Sequence, residues 1–323
     1  MLRLIDFNEA ETARGVFYGG DAGAKDSVVY EGSAWMLKYP KTTRDFVNPQ
    51  ISYTTSPLSE YVGSKIYETL GIPVHETLLG LRKNKVVVAC KDFTLTRAFD
   101  TDKSALIGRG GSPRMVTLIP LHDLKNSFMS SDLEAYSGTG SETLLDEVLA
   151  TIKGQEELQA IPGVMERFWD MFVVDAFIGN NDRNNGNWGI LFDHLGGEIG
   201  LAPVYDNGNA FFNKRSLAQM ERRMYDKKAM QEDAFQNSLC AYKYTGLDNE
   251  GQKINPFMFI KAKENIDCEA ARGRFVNSVN MDEIKKIVDD IPETAGNLSV
   301  MPGVQKVFYL EIMRLRLGYL FRA

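Results

Sequence analysis

Asp182 and Asn187 stand five positions apart in the run Asn180-Asn181-Asp182-Arg183-Asn184-Asn185-Gly186-Asn187. Asp206 follows, after Trp188-Gly189-Ile190-Leu191-Phe192, a Gly196-Gly197 turn and Leu201-Ala202-Pro203-Val204-Tyr205. These residue types suit phosphoryl transfer, in which the transition state is loose, charge spreads over phosphate oxygens, and catalysis is mostly positioning and charge neutralisation. Asp182 is placed to accept or orient the proton of an attacking hydroxyl. Asn187 offers a neutral amide oxygen and Asp206 a carboxylate, both hard ligands of the kind Mg²⁺ prefers. Asn, Asp and Gly are also ordinary turn residues, so an Asn-rich surface turn entering a hairpin has the same composition. The spacing alone does not separate the two readings.

Lys38 ends the apolar run Ala34-Trp35-Met36-Leu37, and Glu60 lies on a helix expected to follow. A strand lysine held by a helix glutamate is an ion pair that orients the α- and β-phosphates of a nucleotide. Taken singly, each is only a surface charge. Upstream, Gly19, Gly20, Gly23 and the small Ala24 would let phosphate approach backbone amides closely. The segment is not a Walker A loop, since Ala24 stands where that motif needs Gly and Asp26 where it needs Ser or Thr. A plain connecting loop with an exposed Lys25 accounts for it as well. The ordered set carries more weight than any member: loop, lysine, helix glutamate, Asp-to-Asn turn and second Asp occur in the order that kinases use.

Helix, strand and turn signals supply a scaffold for these groups. Val28-Val29-Tyr30 and Ala34 to Lys38 flank Glu31-Gly32-Ser33 as a hairpin. A helix begins at Ser56-Pro57, with a capping hydroxyl and Pro at its first position, and ends at Leu70-Gly71. That places Glu60 in about its first turn. Leu78-Leu79 and Val86 to Cys90 flank Arg82-Lys83-Asn84-Lys85 as a second hairpin. After about Phe99 the chain reads as mainly helical, with loops at Gly108 to Pro113 and Ser137 to Ser141. Met165, Phe168, Trp169, Phe172, Val173, Ala176 and Phe177 form a buried helical stripe that leads directly into the Asp182 loop. Further helices are expected around 214–234, 282–290 and 304–321. The fold class is thus α+β and two-lobed, with a β-rich N-terminal lobe at 1–95 holding one key helix, and a mainly helical lobe at 96–323.

The totals exclude several classes. Of 323 residues, 37 are Lys or Arg and 43 Asp or Glu, a net charge of −6 that argues against general nucleic-acid binding. Cys90, Cys240 and Cys268 are isolated, and His75, His122 and His194 lack ligand spacing, so neither a disulfide framework nor a zinc site is indicated. Charge interrupts the N-terminus too early for a signal peptide, and no apolar run reaches the length of a membrane span. A cytoplasmic protein is expected. Lys214, Arg215, Arg222, Arg223, Lys227 and Lys228 form a basic stretch that would read an acidic peptide or phosphate. Interleaved with Glu221, Asp226, Glu232 and Asp233, it fits a solvated helix face better.

With these residues in order, the chain resembles the HipA-like serine/threonine kinases, especially their short, CtkA-type members. The resemblance rests on Tyr18 to Lys25, Trp35 to Pro40, Ser59-Glu60-Tyr61, Leu70 to Val74, Val88 to Phe93, Gly179 to Asn187 and Leu201 to Asp206. It implies a protein-kinase-like fold using ATP and Mg²⁺, with Asp182 as catalytic base, Asn187 and Asp206 at the metal, and Lys38 on the phosphates paired to Glu60. It also implies that Lys91-Asp92-Phe93 is the hinge whose backbone meets adenine. The partners it implies are a protein substrate with a Ser or Thr hydroxyl and an antitoxin or other inhibitory partner, with roles as toxin or effector and autophosphorylation. Three departures stand out. Asn184 replaces the His that many relatives carry after Asp-Arg. Gly20 and Asp21 occupy the region where longer toxins have an autophosphorylated serine, with Ser27 nearby. The N-terminal subdomain through which longer relatives meet their antitoxin is expected to be missing.

Two other classes compete. A lipid or small-molecule kinase would share the metal loop, although aminoglycoside-type phosphotransferases usually place His-Gly before the Asp, where this chain has Asn180-Asn181. A nucleotide-binding scaffold without catalysis would be expected to have lost at least one of Lys38, Asp182, Asn187 and Asp206.

Overall fold

The structure, a computed structural model, describes residues 1–13, 25–45, 51–95, 116–132, 140–194, 196–245 and 251–323. Along the chain run β1 (Ile5–Asp6), β2 (Glu11–Thr12), β3 (Lys25–Tyr30), β4 (Ser33–Lys38), α1 (Ser56–Thr69), β5 (Thr77–Arg82) and β6 (Lys85–Lys91). Then come β7 (Val116–Pro120), α2 (Leu121–Asp132), α3 (Leu145–Gly154), α4 (Glu156–Gln159), α5 (Val164–Ile178), β8 (Gly189–Asp193) and β9 (Ile199–Leu201). The remainder is α6 (Leu217–Tyr225), α7 (Lys227–Gln231), a π-helical turn (Glu232–Gln236), α8 (Pro256–Ala262), α9 (Ile266–Ser278), α10 (Met281–Asp290), β10 (Thr294–Ala295), β11 (Leu298–Ser299) and α11 (Gly303–Arg322).

These elements fall into two compact units. The first comprises 1–115, 207–230 and 280–312, and the second 116–206, 231–279 and 313–323. The centre of the first is a six-stranded sheet in the order β1-β5-β6-β4-β3-β2, antiparallel except for β1 beside β5. Both expected hairpins are present. Tyr30 pairs with Ser33 and Arg82 with Lys85, across two-residue turns whose central residues all have positive φ, the geometry that matches strand twist.

Strand alternation divides the work of the sheet. Trp35, Leu37 and Tyr39 point into an apolar cluster with Phe7, Val28, Val87 and Ala89, so Lys38 faces the other way, toward the side on which α1 packs over β5 and β6. The start of α1 differs slightly from expectation: Thr55, not Ser56, is the N-cap, and its hydroxyl donates to the Asn213 carbonyl instead of capping the helix. Pro57 does occupy the first turn, and Glu60 falls one turn in. Ser59 Oγ donates to the Ala210 carbonyl at 3.0 Å, and Tyr309 of α11 stacks on Phe211 with ring centroids 4.6 Å apart. The 207–213 segment is thereby pinned to α1 and α11.

In the second unit α5 is buried on nearly every face and packs on α9. The expected hairpin between Asp182 and Asp206 is β8 and β9, and β7 joins it as a third antiparallel strand that sequence patterning did not show. The helix expected over 214–234 is divided at Asp226. That residue leaves helical geometry, and its carboxylate accepts the Ala229 N–H at 3.0 Å to start α7. Helices α8, α9 and α10 each begin at an asparagine, Asn255, Asn265 and Asn280, whose side chain accepts backbone N–H groups of the first turn.

Candidate active site

The first unit supplies a buried charge network. Lys38 Nζ donates to Glu60 Oε2 at 2.8 Å, and Glu60 is only 1 % exposed. The other carboxylate oxygen, Oε1, accepts the Asn207 backbone N–H at 2.9 Å and lies 3.0 Å from His75 Nε2. Asn207 Nδ2 donates to Ser64 Oγ at 3.0 Å, and Ser64 Oγ is 3.2 Å from the same imidazole nitrogen. Burial by itself would push the Glu60 carboxyl up. The Lys38 ammonium, with the hydrogen bond and charge of His75, outweighs it and holds the group well below the usual carboxylate range. A Cβ at Gly208 would come within 3.0 Å of Glu60 Oε2, so glycine leaves the ion pair its room.

Lys25 belongs to β3, not to a loop, and stands in register opposite Lys38. Directly opposed residues share a sheet face. Gly19, Gly20, Gly23 and Ala24 lie outside the described residues. Ser27 is also a strand residue, and its hydroxyl donates to the Ala13 carbonyl. Of the residues expected to form a hinge, Lys91 donates its backbone N–H to the Glu76 carbonyl and Asp92 to the Ala34 carbonyl, each at 2.9 Å, so both amides are committed to the sheet region. The Asp92 carboxylate accepts from Thr94 N, Thr94 Oγ1 and Leu95 N, turning the chain into Phe93 and beyond.

The second unit supplies the Asp182 loop. Helix α5 ends at Gly179, which has φ 73° and packs where a side chain would strike the Arg316 guanidinium. Asp175, in the last turn, is the anchor: Arg183 grips it through Nε at 2.8 Å and Nη2 at 3.2 Å, and Asn180 Nδ2 donates to it at 3.1 Å. Arg183 Nη1 also donates to the carbonyls of Asn187, at 3.0 Å, and Tyr205. A single buried guanidinium thus holds both the Asn187 end of the loop and the residue before Asp206. Tyr205 returns its hydroxyl to the Gly186 carbonyl at 3.0 Å.

Above this buried pair, Asp182 is exposed. Asn184 Nδ2 donates to Asp182 Oδ1 at 3.2 Å, so the residue that departs from the commoner His holds the carboxylate. Asn187 Nδ2 donates to the Asp182 carbonyl at 2.7 Å, which fixes the amide and makes Oδ1 its ligand end. Asp206 has φ 61°, a left-handed conformation that costs a non-glycine residue energy and concentrates at functional sites. An amide oriented through its NH₂ and a carboxylate on a strained turn are a donor set that fits Mg²⁺.

The sequence-derived candidates therefore form two groups. Lys38 and Glu60 are joined in the first unit. Asp182 and Asn187 are joined in the second, where Arg183 also ties Asn187 to the segment bearing Asp206. Four supporting residues were not singled out from sequence: His75, Ser64, Asn207 and Asp175. Only Asp175 carried a readable signal, as an acid in an otherwise apolar helical stripe. Among the described residues, Glu60, His75 and Cys90 also place ligand atoms within 4.8 Å of one another, although both Glu60 oxygens already have partners. The three free cysteines are buried, and burial pushes Cys240 and Cys268 up to about 12.

A strand lysine paired to a helix glutamate, followed along the chain by an Asp-to-Asn loop and a second Asp, is the residue order that kinases use, and the comparisons with known proteins point to the same class. Within that class the chain belongs to the HipA-like C-terminal domain family, whose model matches residues 21–291. It is 33% identical over 299 residues to the serine/threonine-protein kinase CtkA of Helicobacter pylori, covering 89% of this chain and 79% of the relative. The crystal structure of the H. pylori proinflammatory kinase CtkA superposes with a TM-score of 0.80 at 28% identity, over 99% of this chain and 98% of that one. The kinase-like α+β fold expected from the sequence is the fold observed.

Proposed function

We propose that this chain is an ATP- and Mg²⁺-dependent serine/threonine protein kinase that moves the γ-phosphoryl group of ATP to a protein hydroxyl and phosphorylates itself. The observation that carries this reading is the Asp182 loop, where an exposed carboxylate and an oriented amide are built on the buried Arg183–Asp175 pair. Asp182 takes the hydroxyl proton as the new O–P bond forms and the bond to the ADP oxygen breaks. Lys38, held by Glu60, binds the α- and β-phosphates, and Lys25 opposite it adds positive charge on the same face. Asn187 and Asp206 would hold Mg²⁺, which when bound neutralises charge on the phosphates.

In this reading residues 1–95 are the nucleotide end and 96–323 the catalytic end. Gly19, Gly20, Gly23 and Ala24 cover the phosphates, and Lys91-Asp92-Phe93 borders adenine, through groups other than the two amide hydrogens used by the sheet region. Likeness to a named serine/threonine kinase favours a protein acceptor over a lipid or a small molecule. The same reading places the enzyme in the cytoplasm as a toxin or effector restrained by an antitoxin-like partner. No helix among the described residues is long and apolar enough to cross a membrane.

The test is ³²P transfer from ATP to the protein itself and to casein, beside phosphoinositide and aminoglycoside acceptors. Transfer to protein that disappears in Asp182→Ala and Asp206→Asn supports the proposal. Strong transfer only to lipid or antibiotic, or unchanged transfer in both variants, overturns it.

A further inference from the structure

The Glu60 carboxylate is buried, so its orientation is set by the groups that donate to it. Oε2 is taken by Lys38, and Oε1 by the Asn207 amide and the imidazole of His75. An ionised carboxylate only accepts hydrogen bonds, so His75 Nε2 must carry the hydrogen in that contact. His75 is itself 4 % exposed, and Ser64 Oγ, which accepts from the Asn207 side chain, lies 3.2 Å from the same imidazole nitrogen. It stands two residues before β5, in the turn after α1, and so joins the helix that carries Glu60 to the sheet that carries Lys38.

We infer that His75 is a positioning residue for phosphoryl transfer: its Nε2–H clamps Glu60 Oε1 so that Oε2 stays on Lys38. This rests on the kinase reading and adds to it a residue that touches neither nucleotide nor acceptor. A hydrophobe of similar size at 75 would preserve packing but leave Oε1 with the Asn207 amide alone, free to turn away from Lys38. Glutamine would keep a donor near the place of Nε2.

The experiment compares His75→Leu, His75→Gln, Glu60→Gln and the Glu60→Gln/His75→Leu double variant, measuring kcat and KM for ATP with casein as acceptor and melting temperature alongside. Loss of a hydrogen bond to a charged group predicts that His75→Leu lowers kcat/KM for ATP by on the order of tenfold. His75→Gln should recover most of it, and in the Glu60→Gln background His75→Leu should cost less than about twofold, because the two residues act as one unit. Wild-type rates in His75→Leu, or equal further loss in the Glu60→Gln background, overturn the proposal. So does a His75→Gln variant that melts like wild type yet is as slow as His75→Leu.

A readout independent of catalysis separates this inference from the kinase reading. With three histidines in the chain, ¹⁵N-histidine labelling should show a protected His75 Nε2–H resonance that shifts or vanishes in Glu60→Gln. Wild-type protein that transfers no phosphate overturns the kinase reading, and the resonance then decides by itself whether His75 clamps Glu60. Its absence from the wild-type spectrum overturns the clamp whatever the activity.

Discussion

Glu60 and Asp182 are the two carboxylates on which the proposed phosphoryl transfer leans, yet one is buried with a donor on each oxygen and the other is exposed, with the Asn184 amide donating to one of its oxygens. Burial makes Glu60 a fixed support, because a buried charge must keep its partners or pay a large desolvation cost. Exposure leaves Asp182 able to meet a hydroxyl, and its precision is delegated downward to the Arg183–Asp175 pair. The fold thus uses its buried charges to hold geometry and leaves at the surface the carboxylate proposed to react. Asp206 lies between these extremes, half-buried and in a left-handed conformation.

The largest effect should come from Asp182→Ala. Phosphate transfer is expected to fall by about 10²- to 10⁴-fold, the usual worth of a positioned general base, with stability within about 0.5 kcal/mol of wild type. A large drop in urea midpoint would break the contrast by making Asp182 a structural residue. Arg183→Met should do the reverse: removing one partner of a buried pair is expected to cost about 3–5 kcal/mol in urea unfolding, with activity lost as the loop loosens. Normal stability in that variant would refute the view that Asp182 depends on a buried anchor.

Acid titration sharpens the Glu60 side. Its folded carboxyl sits below the ordinary value of 4.5, so ionisation favours the folded state. That contribution is whole above about pH 4.5 and is lost as pH falls toward the depressed folded value. Urea unfolding of wild type should therefore weaken between pH 4.5 and lower values more steeply than that of Glu60→Gln. Equal slopes would mean that Glu60 gains nothing from Lys38 and His75. The finest distinction is expected between two substitutions at Asp206, where Asn tolerates a left-handed backbone better than Ala does. Asp206→Ala should unfold about 1 kcal/mol more easily than Asp206→Asn, while transfer assays show both nearly inactive.

Both hairpins and the length of α1 were legible in sequence because alternation, a turn of Lys-Asn or Glu-Gly type, and Pro57 are local signals. Strand β7 was not, because the run Val116 to Pro120 becomes a strand only by pairing with β8. The helix expected over 214–234 was legible in composition but not in its break, since Asp226 competes with the helix through its own side chain. In the site, Asp182, Asn187, Asp206, Lys38 and Glu60 stood out by type and order. His75 did not: an isolated histidine carries no spacing, and its meaning comes from an atom fifteen residues away in the chain. Asn207 was hidden for a different reason, because its contact with Glu60 is through a backbone amide.

The order of residues by itself determined the chemistry available: a lysine, a helix glutamate, an Asp-to-Asn loop and a second acid are chemical types that no packing can supply if they are absent. Tertiary structure decided which of them would be supports and which would be presented. Burial and partner choice depend on groups far apart in the chain, such as Glu60 with Asn207 or Arg183 with the Tyr205 carbonyl. The pairing of an ionised group with its donors is settled by where water is excluded, and local sequence does not specify that.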